Sequence, residues 1–377
     1  MPDFNLRVMT WNLRKFGSNK PTEDAKEAYE ETIKKIEPDI ILIQEIQMKG
    51  PKSPGGDVSI ETRLPTDVKE SVDVLAQITN IVLTLNEPMY YYLSGANSAE
   101  ERSMTDCYAI FFKKEIMNDD GEIITLRAIE SDKGIQIVDD FVTPYPNDTR
   151  RPGLIDIEIR RGNTLSTTLR LLTVHAAYRQ SSKSMFLAIN GLSQSEKIGG
   201  TRWTRNHYYF PYYTVEQKNT ENLTTIFVGD FNSNDQIVLG QITNKYVKNI
   251  SEHIYSFPCN NYLYCETPPR AGTGTTYKIF KIDETDPNKI SLTENSSRYD
   301  KIFFLRDSKN KDLIKIINEK NGKVFDFINY MVKLNVDAPD QEELGELFKN
   351  YYRQQEGKKG LSDHAPYYSD FTIETPI

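Results

Sequence analysis

Short runs rich in Val, Ile, Leu, Phe and Tyr recur along the chain, each closed off by polar or turn-forming residues. LRVMTW, DIILIQEI, CYAIFFKK, GLIDIEIR, LRLLTVHA, TTIFVGDF, KIFFLR and PYYSDFTI have the composition and bounding of strands. Two segments carry a helical period instead. TEDAKEAYEETIKKIEP places Ala25, Ala28, Tyr29, Ile33 and Ile36 on one face, with Pro38 just beyond the end; VDVLAQITNIVLTLN repeats the spacing and is more apolar. FLAINGLSQS and QEELGELFKNYYRQQ carry it more weakly. Strands that follow one another directly, with helices between some of them, predict an α/β sandwich with largely antiparallel pairing.

No linker, internal repeat or low-complexity tract divides the pattern. We therefore expect one domain over residues 1–377, with loop insertions near 48–65, 196–222 and 236–295. A hydrophobic share of 38% is enough for a core, and no run approaches the roughly 18 apolar residues of a membrane span. The opening MPDFNLRVMTWN enters a strand at once without a charged-then-apolar leader, which makes the cytoplasm the default expectation and leaves a processed, secreted form open. Net charge is −8, so bulk attraction does not bring this chain to a polyanion. Contact with nucleic acid would need a local basic surface or a bound cation. Cys107, Cys259 and Cys265 match no zinc pattern; Cys259 and Cys265 are close enough to close a small disulfide loop.

The chemistry collects where strands end. In IFVGDFNSND, Asp230 and Asn232 stand two apart, so in extended backbone both face one way and could share a target; a turn would use the same residue types. The pattern repeats elsewhere. Asn12 closes LRVMTW, Glu45 follows Gln44 at the end of DIILIQ, His175 closes LLTVH, Asp300 precedes KIFF, and Asp363 and His364 precede the last strand. Six strand ends that each offer a ligand or an acid/base group are hard to explain as six independent turns. Oxygen donors without thiolate suit Mg²⁺, and also Mn²⁺ or Ca²⁺, better than zinc. A cation, a histidine base and a carboxylate that fixes its tautomer are the elements of phosphodiester cleavage.

TWN, QE, VHAAY, GDFN, RYDKI and SDHAP occur in an order that resembles the endonuclease/exonuclease/phosphatase superfamily, and they span residues 10 to 366. Within it the likeness is to the DNase I branch, because VHAAY carries a histidine. The resemblance implies a four-layer α/β sandwich with two packed mixed β-sheets, and a Mg²⁺-dependent nuclease acting on nucleic acid, DNA first. It assigns Glu45 and Asn12 to the cation, with Asp363 in the metal or phosphate network. His364, oriented by Asp300, is then the base, and His175 is the acid. Asp230 and Asn232 would bind the attacked phosphate or a second cation. EERSMTDCYAIFFKK resembles the segment whose glutamate orients His175, which points to Glu101; RRPGLIDIEI resembles an Arg-x-Pro strand whose arginine, Arg151, touches the backbone of the nucleic acid.

Two other readings stay open. The same fold serves phosphatases and phosphodiesterases of phosphoinositides or phospholipids, and an acidic chain without a basic run is compatible with them. A non-catalytic binding protein on this fold is the third. The extra length between motifs includes Arg202, Trp203, Arg205, His207, Tyr208, Tyr209 and Phe210, a mixture that could stack bases and grip phosphate or simply cover a core.

Overall fold

Each apolar run of the sequence forms a strand because its alternate residues find a second apolar layer to face. The computed structural model describes residues 4–17, 21–49, 76–94, 104–129, 135–137, 153–175, 223–230, 232, 262–264, 300–305, 323–325, 327, 330, 362 and 364–373. In chain order these give β1 (Phe4–Phe16), α1 (Glu23–Ile36), β2 (Ile40–Lys49), a helical stretch α2 over 76–82 that tightens into a 3₁₀ turn at Leu83–Leu85, and β3 (Met89–Leu93). Then come β4 (Met104–Lys113), β5 (Glu115–Met117), β6 (Ile123–Ala128), β7 (Gln136–Ile137), β8 (Gly153–Arg161) and β9 (Thr164–His175). The last are β10 (Leu223–Asp230), β11 (Tyr262–Tyr264), β12 (Asp300–Leu305), β13 (Lys323–Val324) and β14 (Tyr367–Ile373). All eight anticipated strands are present; β3, β5, β6, β7, β11 and β13 were not anticipated.

Two mixed sheets result. The first runs β13-β14-β1-β2-β4-β3 and the second β11-β12-β10-β9-β8-β6-β5, with β7 beside β8. Each has one parallel pair near its middle, β1–β2 and β9–β10, flanked by antiparallel neighbours. Alternation sorts the side chains. Leu6, Val8, Ile40, Leu42, Tyr108 and Ile110 point inward and pack against Ile155, Ile157, Leu169, Leu171, Ile226, Val228 and Ile302 of the second sheet. Met9, Trp11, Ile41, Ile43, Ala109 and Phe111 point outward and meet α1 and α2.

Helix α1 follows its sequence closely. Thr22 caps it, its hydroxyl accepting from Ala25 N–H, and Glu37 ends it in the left-handed region with its N–H on Ile33 O. Its buried face is Ala25, Ala28, Tyr29, Thr32, Ile33 and Ile36. On the far side of the second sheet Arg170, Leu172 and Val174 are also buried, so both its faces are covered. The architecture is thus the α/β sandwich of two packed mixed sheets. Any helices of a fourth layer, together with FLAINGLSQS, QEELGELFKNYYRQQ, Cys259, Cys265, Arg202, Trp203 and most of the expected insertions, lie outside the described residues. Among the described residues no helix is long and apolar enough to cross a membrane.

The seam between β9 and β10 is tight where it matters. Gly229 has φ +142°, and a Cβ there would lie 2.1 Å from Val174 O. Gly162, in the β8–β9 hairpin, also has positive φ (+56°) but open space around it. We predict that Gly229→Ala costs about 3 kcal/mol or more, since strain and clash combine, whereas Gly162→Ala costs about 1 kcal/mol. Urea denaturation of both variants checks this; equal losses would contradict it.

Candidate active site

The register of the second sheet sets three polar side chains in a row. Asp230 ends β10 opposite His175 of β9 on one side and Asp300 of β12 on the other. All three lie on the inward face, on the same alternation as Ile226, Val228, Leu171 and Ile302. Buried carboxylates next to apolar residues must find partners. The first sheet supplies them.

On β1 and β4, Asn12 and Asp106 fall on the inward face by alternation. Glu45 does not. Ile41 and Ile43 face the helices, so a regular β2 would turn Glu45 the same way. Instead the β2 register slips between Ile43 and Ile46, and Glu45 adopts φ +58°. This bulge puts Gln44 and Glu45 on the inward side together, while Ile46 returns to the helix face. On β1 a matching irregularity lies between Asn12 and Phe16, with Arg14 and Lys15 also at positive φ. It aims backbone donors at the site: Arg14 N–H on Asn12 Oδ1 (2.8 Å) and Lys15 N–H on Glu45 Oε2 (3.0 Å).

Across the gap the two edges meet. The Asn12 carboxamide donates to Glu45 Oε1 (3.0 Å) and to Asp230 Oδ2 (2.9 Å), separating two carboxylates. His175 Nε2 lies 3.3 Å from Glu45 Oε1 and 3.8 Å from Asp230 Oδ2, and its Nδ1 lies 3.4 Å from Asp106 Oδ2. His364 Nδ1 is 2.7 Å from Asp300 Oδ2, and its Nε2 is 3.8 Å from the same Asp230 oxygen. Asp230 Oδ1 accepts Asn232 N–H at 2.7 Å, and Asn232 has φ +47°. Gly229 and Asp230 thus close β10, and Asp230 delivers its carboxylate to the centre of the cluster. Beneath, Gln44 bridges the sheets: its Oε1 accepts from the Thr10 hydroxyl (3.0 Å) and its Nε2 reaches Thr173 Oγ1 (3.2 Å).

Glu45, Asp106, Asp230 and Asp300 bring four carboxylates, against which two imidazoles can carry two positive charges. Burial alone pushes the Glu45 carboxyl up, but hydrogen bonds from His175 and Asn12 and the charges of His175 and His364 hold it well below the usual carboxylate range. The excess negative charge and the oxygen-rich donor set fit a hard divalent cation. Donor atoms of Glu45, His175 and Asp230 lie within 4.8 Å of one another. Asn12, with its oxygen turned to Arg14 N–H, acts here as a spacer between carboxylates.

Of the residues expected from sequence, Asn12, Glu45, His175, Asp230, Asn232, Asp300 and His364 all lie at this one edge. Glu101, Arg151 and Asp363 lie outside the described residues. The carboxylate found beside His175 Nδ1 is that of Asp106, in the segment that suggested Glu101. Asp106 begins the alternation that continues through Tyr108 and Ile110, and that was the signal available for it. Ser362 also escaped notice: its hydroxyl donates to Asn12 O and accepts His364 N–H.

No protein-family model and no curated protein matches the chain. Among solved structures it is similar to an endonuclease/exonuclease/phosphatase family protein from Bacteroides thetaiotaomicron, at 14% identity over 99% of this chain and 100% of that one, with a TM-score of 0.47. It is also similar to D. rerio TDP2 complexed with a single-strand DNA product (12% identity, 98% and 99% covered, TM-score 0.46). A third is a mannosyl-6-phosphatase of Bacteroides thetaiotaomicron (15% identity, 99% and 100% covered, TM-score 0.44). At these values the likeness carries no activity over to this chain.

Glu45→Gln keeps the shape and removes the charge. Calorimetric titration with Mn²⁺ should show affinity lowered at least about tenfold, with the fold intact. The same variant has a pH signature. Because folding lowers the Glu45 pKa, its contribution to stability is whole above the unfolded-state value near 4.5 and drains away as pH falls below it. Metal-free wild type and variant should draw together in urea stability as pH falls from about 5 to about 2, with no change in the gap between about pH 7 and 6. A constant gap would place the stabilisation elsewhere.

Proposed function

We propose that this chain is a divalent-cation-dependent phosphodiesterase that hydrolyses the backbone of nucleic acid, with DNA as its first substrate and internal bonds as its point of attack. One observation carries the reading. Two imidazoles, each backed by a carboxylate, converge on a single oxygen of Asp230, each with Nε2 at 3.8 Å. In-line displacement at phosphorus needs a proton acceptor on one side and a donor on the other. The paired imidazoles supply both.

His364 is the base. Its Nδ1 is engaged by Asp300, and its Nε2, on the side of Asp230, takes the proton of the attacking water. His175, held by Asp106 at Nδ1, gives its Nε2 proton to the departing oxygen. The water oxygen bonds to phosphorus as the ester P–O bond breaks; one proton arrives at His364 and one leaves His175. A divalent cation bound by Glu45 and Asp230 would offset the phosphate charge and polarise its P–O bonds. Asn12 would keep Glu45 and Asp230 spaced for the cation, Asn232 and Asp363 would complete the proposed cation and phosphate set, and Arg151 the contact to the backbone of the nucleic acid. With a net charge of −8, binding to a polyanion must come from such local groups.

The test is a panel of plasmid DNA, single-stranded DNA, RNA and a phosphoinositide, each with Mg²⁺ or Mn²⁺ and with EDTA controls. Nicking of plasmid that EDTA abolishes is expected; hydrolysis of the phosphoinositide alone would replace the nuclease reading. His175→Ala and His364→Ala should each lose about 10²- to 10⁴-fold in rate and still fold. A His364→Ala protein that melts early yet cleaves at the wild-type rate would remove the base from this mechanism.

A further inference from the structure

The backbone of His364 is held from both sides by two consecutive residues of β1. The indole N–H of Trp11 donates to His364 O at 2.7 Å. The N–H of His364 donates to Ser362 Oγ at 3.0 Å, and the Ser362 hydroxyl in turn donates to Asn12 O. Trp11 reaches the loop before β14 with its side chain from the helix face, and Asn12 reaches it with its backbone carbonyl, so β1 holds the loop at two consecutive residues.

Trp11 is an unusual choice for a core position. It is fully buried between Tyr29 of α1 (ring centroids 5.1 Å apart, nearly perpendicular) and Phe327 (5.3 Å). An aliphatic or phenyl side chain at a core position would carry no polar group to satisfy. Only the indole adds a donor, and that donor goes to the carbonyl of His364. The His364 ring hangs from this peptide. Rotating the peptide would swing Nε2 away from Asp230 even with Nδ1 still on Asp300. Misplacement of a reacting group by about 1 Å can cost about 10²-fold in rate.

We infer that Trp11 is a positioning residue for His364: its N–H fixes the carbonyl and so the direction of Nε2, and Ser362 closes the clamp on the N–H side. The inference rests on His364 being the base of the proposed reaction. It makes α1, through Tyr29, part of the support of that base.

Trp11→Phe removes the donor but also leaves a void. Replacement of Trp11 by benzothienylalanine keeps the shape of the indole and lacks only the N–H. Two readouts apply: kcat and KM for plasmid nicking with Mg²⁺, and solvent exchange of the downfield His364 Nδ1–H proton followed by NMR. We expect the isostere to lower kcat about 10- to 100-fold with KM unchanged within about twofold, and to speed exchange of that proton. Ser362→Ala should act in the same direction, and Trp11→Phe should add a loss of thermal stability. If the isostere keeps both kcat and slow exchange while only Trp11→Phe melts early, Trp11 is core filling and the inference falls. If the wild type cleaves nothing on the panel but the isostere still speeds exchange, the proposed activity falls and the clamp stands.

Discussion

Four carboxylates crowded at one edge repel one another, and every other feature of the site accommodates that repulsion. At about 4 Å two such charges oppose each other by about 4 kcal/mol at an effective dielectric near 20. The edge holds because groups bearing protons are interleaved with the acids. His175 stands among Asp106, Glu45 and Asp230, Asn12 between Glu45 and Asp230, and His364 between Asp230 and Asp300. Backbone N–H groups from the irregular turn of β1 take up remaining lone pairs. The alternation is fixed by strand register, so a slip of one residue in β9 or β10 would turn His175 or Asp230 to the opposite face and undo the interleaving.

How much of this was legible in the sequence depended on whether a residue obeyed the strand period. His175, Asp230 and Asp300 obey it, and an acid or histidine at the end of an apolar run already announced an edge site. Glu45 breaks it. Counted from Ile41 and Ile43 it belongs to the helix face, and only the bulge turns it inward. Its place could be inferred from the resemblance of QE to a motif, and no periodicity would have found it. Asp106 obeyed the period, yet it stands at the head of a long apolar strand, where a solvated acid is the ordinary expectation. Ser362 carries no pattern at all, since its role depends on a β1 carbonyl 350 positions away. Helix α1 was the easiest element, because capping, amphipathic spacing and a following proline all agreed.

The division of labour between layers explains why the cluster can be both polar and buried. The inward faces of the sheets are apolar from Phe4 and Phe371 along most of their length, and they turn polar only over the last residues before the edge. Gln44, Thr10 and Thr173 mark the transition, joined to one another across the sandwich. At the far end Arg7 anchors β1 to β14 through Asp370, and its backbone N–H bonds Asp39. The two sheets are thus joined by polar contacts at the site edge, and the first sheet is tied within itself at the far end, with apolar packing between.

The strand pairings contain a relation that the sequence does not display. One sheet reads β14-β1-β2-β4 and the other β12-β10-β9-β8, and the two series share the same succession of antiparallel, parallel and antiparallel contacts. Equivalent places then bond to each other: His364 before β14 with Asp300 of β12, Asn12 of β1 with Asp230 of β10, Glu45 of β2 with His175 of β9. The two series of strands therefore correspond in order and direction, and each partner at the cluster meets its opposite number. Every pair is chemically unlike, an imidazole or amide facing an acid, and the irregular β1–β2 pairing has a regular counterpart in β9–β10. Each sheet contributes one member to all three pairs, and neither sheet holds a complete pair by itself.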